Sequence, residues 1–350
     1  MSVQTPYLSI VVTTRNDRHG GDMLGRTRAF VNGLLYHTRR CRMACELIIV
    51  EWNPPAASPP LREVLPAPQP GDFLTIRYII VPEALHRRRW MSEQIPLFQM
   101  SAKNVGIRRA CGEFVLCTNV DILFSDACFD RIARRDFRSD TFYRANRLDI
   151  PDDVLKLTSV SEQLQYAAQH PLKRLGKNRH LKHVRGIPDY LYRFKRLTKL
   201  LDIPWGWYDR LQQGKMYDLL QLDTMACGDF TLMHKNAWLQ IDGYAELDMY
   251  SIHVDTLALY AAHLAGMKQE IFEWYECVYH IHHSDGWETL QDDLSTLRFL
   301  IKKPGLDWWL VVRATLQMKK EGITRYDINP PDWGLANEQL EEITLSPSEA

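Results

Sequence analysis

The chain of 350 residues has no uninterrupted apolar run of the about 18 residues that a membrane-spanning helix needs. It carries no excess of either charge. Its 43 Lys and Arg stand against 43 Asp and Glu, so no global attraction to a polyanion is implied. The seven cysteines are an odd number, and none falls in a C-x-x-C pair. Cys41 and Cys45 are the closest candidates for a metal or disulfide pair, but a structural metal site usually has a second ligand pair. Reduced, structural cysteines in a cytoplasmic protein are therefore expected, with peripheral attachment to a membrane left open. The N-terminus, MSVQTPYLSIVVTTRND, has no basic stretch before its short apolar run and is not expected to be a signal peptide. Several motifs are missing as well. Without G-x-x-x-x-G-K-[ST] a P-loop NTPase is excluded, and without G-x-G-x-x-G after the first strand a dinucleotide enzyme is not expected. No H-E-x-x-H or G-x-S-x-G is present, which argues against a zinc protease and an α/β-hydrolase.

What is present is strand–helix alternation over the first 150 residues. Tyr7–Thr14, Glu46–Val50 and Phe73–Val81 are apolar and β-branched, and read as buried parallel strands. Leu24–Arg40 and residues 98–110 have helical spacing, residues 54–70 read as a Pro-rich loop or short helix, and 114–118 and Thr141–Leu148 read as further strands. An α/β sheet follows, and such sheets bind ligands outside the carboxyl ends of their strands. The polar residues at those ends are Thr13, Thr14, Arg15, Glu51, Asn53, Asn119 and Asp121, which would share one rim. From 151 to 222 the alternation breaks, and a helical insertion is expected. Ten Lys or Arg lie between Lys173 and Lys199, with Asp189 the lone acid, followed by Trp205, Trp207 and Tyr208. A solvated basic face and an acceptor site with aromatic platforms both fit. Nucleic acid is not expected, because the basicity is local and no nucleic-acid motif accompanies it. Met225–Glu246 reads as a strand then a helix, Ile252–Gly266 as a helix beginning near Asp255, Ile271–Tyr279 as a strand, and the stretch around Trp308 and Trp309 as helical.

The richest segment is Ser101–Phe124, SAKNVGIRRACGEFVLCTNVDILF. An apolar strand, Phe114–Cys117, ends in Thr118-Asn119-Val120-Asp121. Oxygen-bearing side chains one residue apart suit a hard divalent cation, although Asn and Asp at a strand end can also simply cap a turn. With Asn104, Gly106, Ala110, Gly112 and Glu113 before it, the segment resembles the N-x-G…A-x-G-E helix and DxD of GT-A glycosyltransferases of the family 2 type, with Asn119 in place of the first Asp. His280-Ile281-His282-His283-Ser284 resembles the Met-x-x-His-Ser segment of β-1,4-galactosyltransferases, which points to His283 and then His280 as metal ligands. Gly228-Asp229-Phe230, Trp238, Gly243, Tyr244 and Glu246 match the family's acceptor-side motif. Asp255 matches its E-D-x-x-L helix start, with Val254 replacing the Glu.

The resemblance implies a GT-A fold: a mixed α/β sheet flanked by helices, with a helical insertion and a helical C-terminal extension. Residues 1–150 would bind the donor, 151–222 form the insertion, 223–285 bind acceptor and catalyse, 286–345 extend the fold, and 346–350 form a disordered tail. It implies a UDP- or GDP-sugar donor, Mn²⁺ or Mg²⁺ on Asp121, and a glycan or lipid-linked acceptor. Thr13, Arg15, Glu51, Asn53, Asn104, Arg108, Asn119 and Asp121 would serve the donor, and Trp205, Trp207, Gly228 and Tyr244 the acceptor. Asp255 would be the base of an inverting reaction, with Asp229 its competitor. A sugar nucleotidyltransferase and a non-catalytic glycan-binding protein are the alternatives.

Overall fold

The computed structural model describes residues 6–176, 181–182, 222–283, 303, 305–306, 308–326 and 328–347. Trp205 and Trp207 lie outside them, as does most of the expected insertion.

The architecture is mixed α/β, with an eight-stranded sheet flanked by helices. The strands are β1 (Leu8–Thr14), β2 (Cys45–Trp52), β3 (Leu74–Val81), β4 (Phe114–Cys117), β5 (Ile122–Phe124), β6 (Thr141–Arg144), β7 (Arg147–Ile150), β8 (Lys173–Leu175), β9 (Leu181–Lys182), β10 (Thr231–His234), β11 (Lys268–Ile271), β12 (Val278–Ile281) and β13 (Glu341–Leu345). The large sheet runs β11-β6-β10-β4-β1-β2-β3-β13, and a smaller one runs β5-β12-β7-β8-β9. Strands β4, β1, β2 and β3 are parallel, whereas β10 and β13 run against their neighbours.

The helices are α1 (Met23–Cys41), α2 (Leu61–Val64), α3 (Glu83–His86), α4 (Gln99–Arg109), α5 (Asp126–Ala133), α6 (Val160–Gln169), α7 (Lys235–Gln240), α8 (Val254–Leu264) and α9 (Trp308–Glu321). Every residue of β1 and β2 is buried, because helices cover both faces of the sheet. Val11, Ile48, Val50 and Trp52 face the core under α4 and α8. Leu8, Ile10, Val12, Leu47 and Ile49 face the opposite core, under α1 and α5. This alternation is the period-2 geometry of a strand. Gly106 is where α4 crosses β1: a Cβ there would collide with the Val11 side chain, so the glycine sets how closely the helix lies on the sheet.

Three segments depart from the sequence reading. The expected strand Thr141–Leu148 is two strands, β6 in the large sheet and β7 in the small one. The chain changes sheets at Ala145–Asn146, where Asn146 bonds to the Phe272 and Glu273 carbonyls. The expected strand Ile271–Tyr279 is likewise β11, a turn, and β12. A period-2 pattern cannot show that one run serves two sheets. Beyond α9 the chain forms β13, an edge strand on β3 held by Arg77 to Glu342, which the sequence reading did not anticipate. In the described part of the insertion, α6 is followed by β8 and β9, so Lys173 and Arg174 belong to a strand.

His37 on α1 is fully buried, stacked on Phe129 at 4.8 Å, with Nε2 2.9 Å from the Phe124 carbonyl. Burial pushes its imidazole from 6.5 down to about 4, against the opposing hydrogen bond to Phe124. The neutral form is the one that folds, so its contribution is complete above pH 6.5 and is lost as the pH falls toward 4. At 1.36 kcal/mol per unit the loss reaches about 3 kcal/mol. Urea unfolding at pH 7 and pH 4.5 should therefore show a smaller acid penalty for His37→Phe than for the parent. An unchanged difference between the two pH values would remove His37 as a source of acid lability.

Candidate active site

A cavity of about 490 Å³ opens at the carboxyl ends of the central strands. Thr13, Arg15, Asp17 and His19 reach it from the end of β1, and Asn119–Asp121 from the crossover between β4 and β5. Arg147 of β7, Asp229, Tyr250–Ile252, His280, His283 and Lys303 complete the lining with Met23, residues 95–97 and Gln99. Asn119-Val120-Asp121 is thus the point where the chain passes from one sheet to the other. Asn119 meets α4, and Asp121 meets β12.

Asp121 Oδ2 lies 2.9 Å from His283 Nε2 and 3.6 Å from His280 Nε2. Strand β12 ends at Ile281, whose N–H donates to the Asp121 carbonyl, and the chain then turns so that the rings of His280 and His283 converge at 5.3 Å. His282 is exposed. Among the described residues, Asp121, His280 and His283 form the group able to hold a metal ion, with ligand atoms within 4.8 Å of one another. The fit is supported by two buried atoms that find no hydrogen-bond partner, Asp121 Oδ1 and His283 Nδ1. Burial pushes the Asp121 carboxyl up, yet the two imidazoles outweigh it and hold the group well below its ordinary value.

His280 is backed by a second layer. The parallel register of β12 and β7 places it beside Asp149. Its Nδ1 lies 3.0 Å from Arg147 Nη2 and 3.3 Å from Asp149 Oδ1. It accepts from the arginine when that nitrogen is unprotonated and donates to the carboxylate when it carries the proton, so the two contacts exclude each other as hydrogen bonds. Burial opposes charge on the ring, but Asp121 and Asp149 prevail and hold the imidazole at about 9. Below that pH a cation has to displace a proton from His280. With Nε2 committed to a cation, an Nδ1–H donating to Asp149 is the usual carboxylate–imidazole–metal arrangement.

Gly20 makes room for this group. Its φ is +59°, and a Cβ there would sit 2.7 Å from His283 Nδ1 and 3.1 Å from Arg26 Nη2. Gly20→Ala should therefore cost about 1–2 kcal/mol of stability from the left-handed backbone. By displacing His283 it should also weaken Mn²⁺ binding by about 10-fold or more. A Mn²⁺ titration followed by electron paramagnetic resonance checks this. Parent-like affinity in the variant would show that His283 is not a ligand.

The other expected site residues divide. Thr13, Arg15, Asn119, Asp121, Asp229, His280 and His283 come together at the cavity. Thr13 Oγ1 donates to the Val50 carbonyl, and Arg15 pairs with Asp17 and donates to the Pro96 carbonyl. Asn53 sits behind that wall, donating to the same Pro96 carbonyl. Glu51 does not line the cavity. It is buried below α2, where desolvation raises its carboxyl against a hydrogen bond from Leu61. Asn104 is buried and is not part of the cavity wall. It accepts from the Tyr244 N–H and donates to the Tyr244 carbonyl and to Glu246, so the two glycosyltransferase-like motifs meet as scaffold. Tyr244 is itself buried against Trp238 and offers no ring face to a ligand. Arg108 holds the C-terminal segment through the carbonyls of Pro331 and Trp333, with its guanidinium 4.1 Å from the Trp333 ring.

Asp255 does not line the cavity; it lies in the first turn of α8 and accepts from the Thr256 N–H at 2.9 Å, while His253 occupies the N-cap position. A Cβ on Gly228 would sit 3.0 Å from Asp255 Oδ2, so this backbone passes directly beneath the carboxylate.

Sequence reasoning missed Lys103, Gln99, Arg147 and Asp149. Lys103 was detectable as a charge within a helix turn flanked by Met100, Ala102, Val105 and Gly106, all buried. Arg147 and Asp149 were detectable as two opposite charges at i and i+2 of a strand, on one face.

No family model matches the chain, and no curated protein matches it. Among solved structures, the catalytic domain of Drosophila beta1,4galactosyltransferase 7, in complex with xylobiose, aligns with 88% of this chain and 79% of its own. The identity is 10% and the TM-score 0.37, a likeness too distant to transfer the role of any residue.

Proposed function

We propose that the chain is a metal-dependent glycosyltransferase of the GT-A type, moving a sugar from a nucleotide-diphosphate sugar to a hydroxyl of a glycan or related acceptor. The observation that carries this reading is the convergence of Asp121, with an unpaired carboxylate oxygen, and two imidazoles on an open cavity at the strand ends. A divalent ion bound there would act as a Lewis acid toward a departing diphosphate. Carboxylate and imidazole donors suit Mn²⁺ better than Mg²⁺, which prefers oxygen ligands and retained water. Arg15 and Lys303 line the same cavity and supply positive character toward a diphosphate. On this reading Asp255 takes the acceptor proton. Asp229 is the weaker candidate, since Asn119 holds one of its oxygens at 2.7 Å and Arg147 the other at 2.7 Å. The basic and aromatic residues between 173 and 208 remain the proposed acceptor side.

Incubation with a panel of UDP- and GDP-sugars and Mn²⁺ tests the reading. One donor should release nucleoside diphosphate, and EDTA should stop the release. Pyrophosphate formed from a nucleoside triphosphate and a sugar phosphate would identify a nucleotidyltransferase instead. Binding of a glycan with no turnover of any donor would identify a non-catalytic protein.

A further inference from the structure

The residue that departs from the DxD pattern, Asn119, is held in a hydrogen-bond chain whose polarity is fixed by chemistry. Lys103 is fully buried, and its Nζ lies 2.8 Å from one side-chain atom of Asn119. An ammonium only donates, so that atom is the amide oxygen. Asp229 lies 2.7 Å from the other end, and a carboxylate only accepts, so that end is the amide nitrogen. Gln99 Nε2 donates to the same Asn119 oxygen at 2.9 Å, while the Gln99 oxygen accepts from Ser251 at 2.7 Å. Both lone pairs of the Asn119 oxygen are therefore used, and none remains for a cation.

The chain continues toward the histidine. Arg147 donates to Asp229 Oδ2 at 2.7 Å and to Asp149 Oδ1 at 2.5 Å, and its Nη2 is 3.0 Å from His280 Nδ1. An aspartate in place of Asn119 would set a carboxylate oxygen against Asp229 at the 2.7 Å now spanned by a hydrogen bond. Two carboxylates so close cannot both ionise. Asparagine is a residue that accepts from Lys103 and donates to Asp229 at once.

We propose that Lys103 is a positioning residue of the site: through Asn119, Asp229, Arg147 and Asp149 it fixes the orientation of His280, and it keeps Asn119 from ligating the metal. The proposal rests on the metal-dependent reading above and assigns the cation to Asp121, His280 and His283 without Asn119.

The test uses the full chain and Mn²⁺ alone, titrated by electron paramagnetic resonance, with thermal unfolding as the control for folding. Lys103→Met keeps the buried stem and removes the donors, and Asn119→Ala is the milder second variant. Each should weaken Mn²⁺ binding by about 10-fold or more, the size of effect seen when the groups behind a metal ligand are removed. The double variant should be no weaker than the worse single, because both cut the same chain. Asn119→Asp should bind Mn²⁺ no more tightly than the parent. Losses that multiply in the double variant, or tighter binding by Asn119→Asp, would overturn the proposal. So would parent-like affinity in Lys103→Met with only a changed melting temperature, the mark of a purely structural lysine. A parent that binds Mn²⁺ but turns over no sugar nucleotide would sink the transferase reading and leave this one standing. A parent that takes up no Mn²⁺ would sink both.

Discussion

Asp121→Asn is expected to abolish Mn²⁺ binding and donor turnover together. The carboxamide keeps the size of the side chain and can still meet His283, now 2.9 Å away, but it removes the only formal negative charge among the three ligands. Lewis-acid stabilisation of a leaving group is worth several kcal/mol, so nucleotide release should fall by at least about 10³-fold. A second readout needs no substrate. Mn²⁺ at about 100 times its dissociation constant should stabilise the parent by about 2.7 kcal/mol, and thermal unfolding should show no such gain in the variant. If Asp121→Asn keeps both the Mn²⁺-dependent shift and the turnover, the cation does not bind at this group.

The next largest effect is expected from Asp255→Asn. The asparagine oxygen can still accept the Thr256 N–H, so the start of α8 should survive the change. What is lost is the ability to take a proton. General-base assistance contributes about 10²–10⁴-fold, so kcat should fall by that factor with donor affinity nearly unchanged. The N-terminal end of a helix favours the carboxylate form, which suits a group that accepts its proton only as the glycosyl bond forms. Asp229→Asn is the contrasting variant. It breaks the pairing with Arg147, so it should weaken Mn²⁺ binding rather than kcat alone. Product anomeric configuration by NMR completes the experiment. A retained anomer, or full activity in Asp255→Asn, would leave Asp255 as part of the helix start and nothing more.

Five of the eight residues expected to serve the donor need different descriptions once their surroundings are known. Glu51 and Asn53 stand at the end of β2, as the rim pattern required, and Asn104 and Arg108 lie on α4, yet the side chains of all four bond to protein rather than line the cavity. Asn119 does line it, but its oxygen is already satisfied. Spacing in a sequence says which end of the sheet a residue occupies. It does not say whether a helix or a distant tail, such as residues 331–335 against Arg108 and Arg109, has reached that residue first.

The sequence by itself determined the α/β alternation of the first 150 residues, the buried parallel strands and the strand-end placement of Asp121. Those features follow from local periodicity and from turn chemistry, which neighbouring residues carry. Its resemblance to the β-1,4-galactosyltransferase segment also pointed to His283 and His280 as metal ligands. Only the tertiary structure decided that His280 and His283 converge on Asp121. The sequence separation is about 160 residues, and the meeting depends on β12 pairing with β5 and β7 in one register. It alone brought Lys103, Asn119, Asp229, Arg147, Asp149 and His280 into one chain of polar contacts. The links from Asn119 to Asp229, from Asp229 to Arg147 and from Asp149 to His280 join segments distant in sequence, and no local pattern records which buried donor will face which buried acceptor.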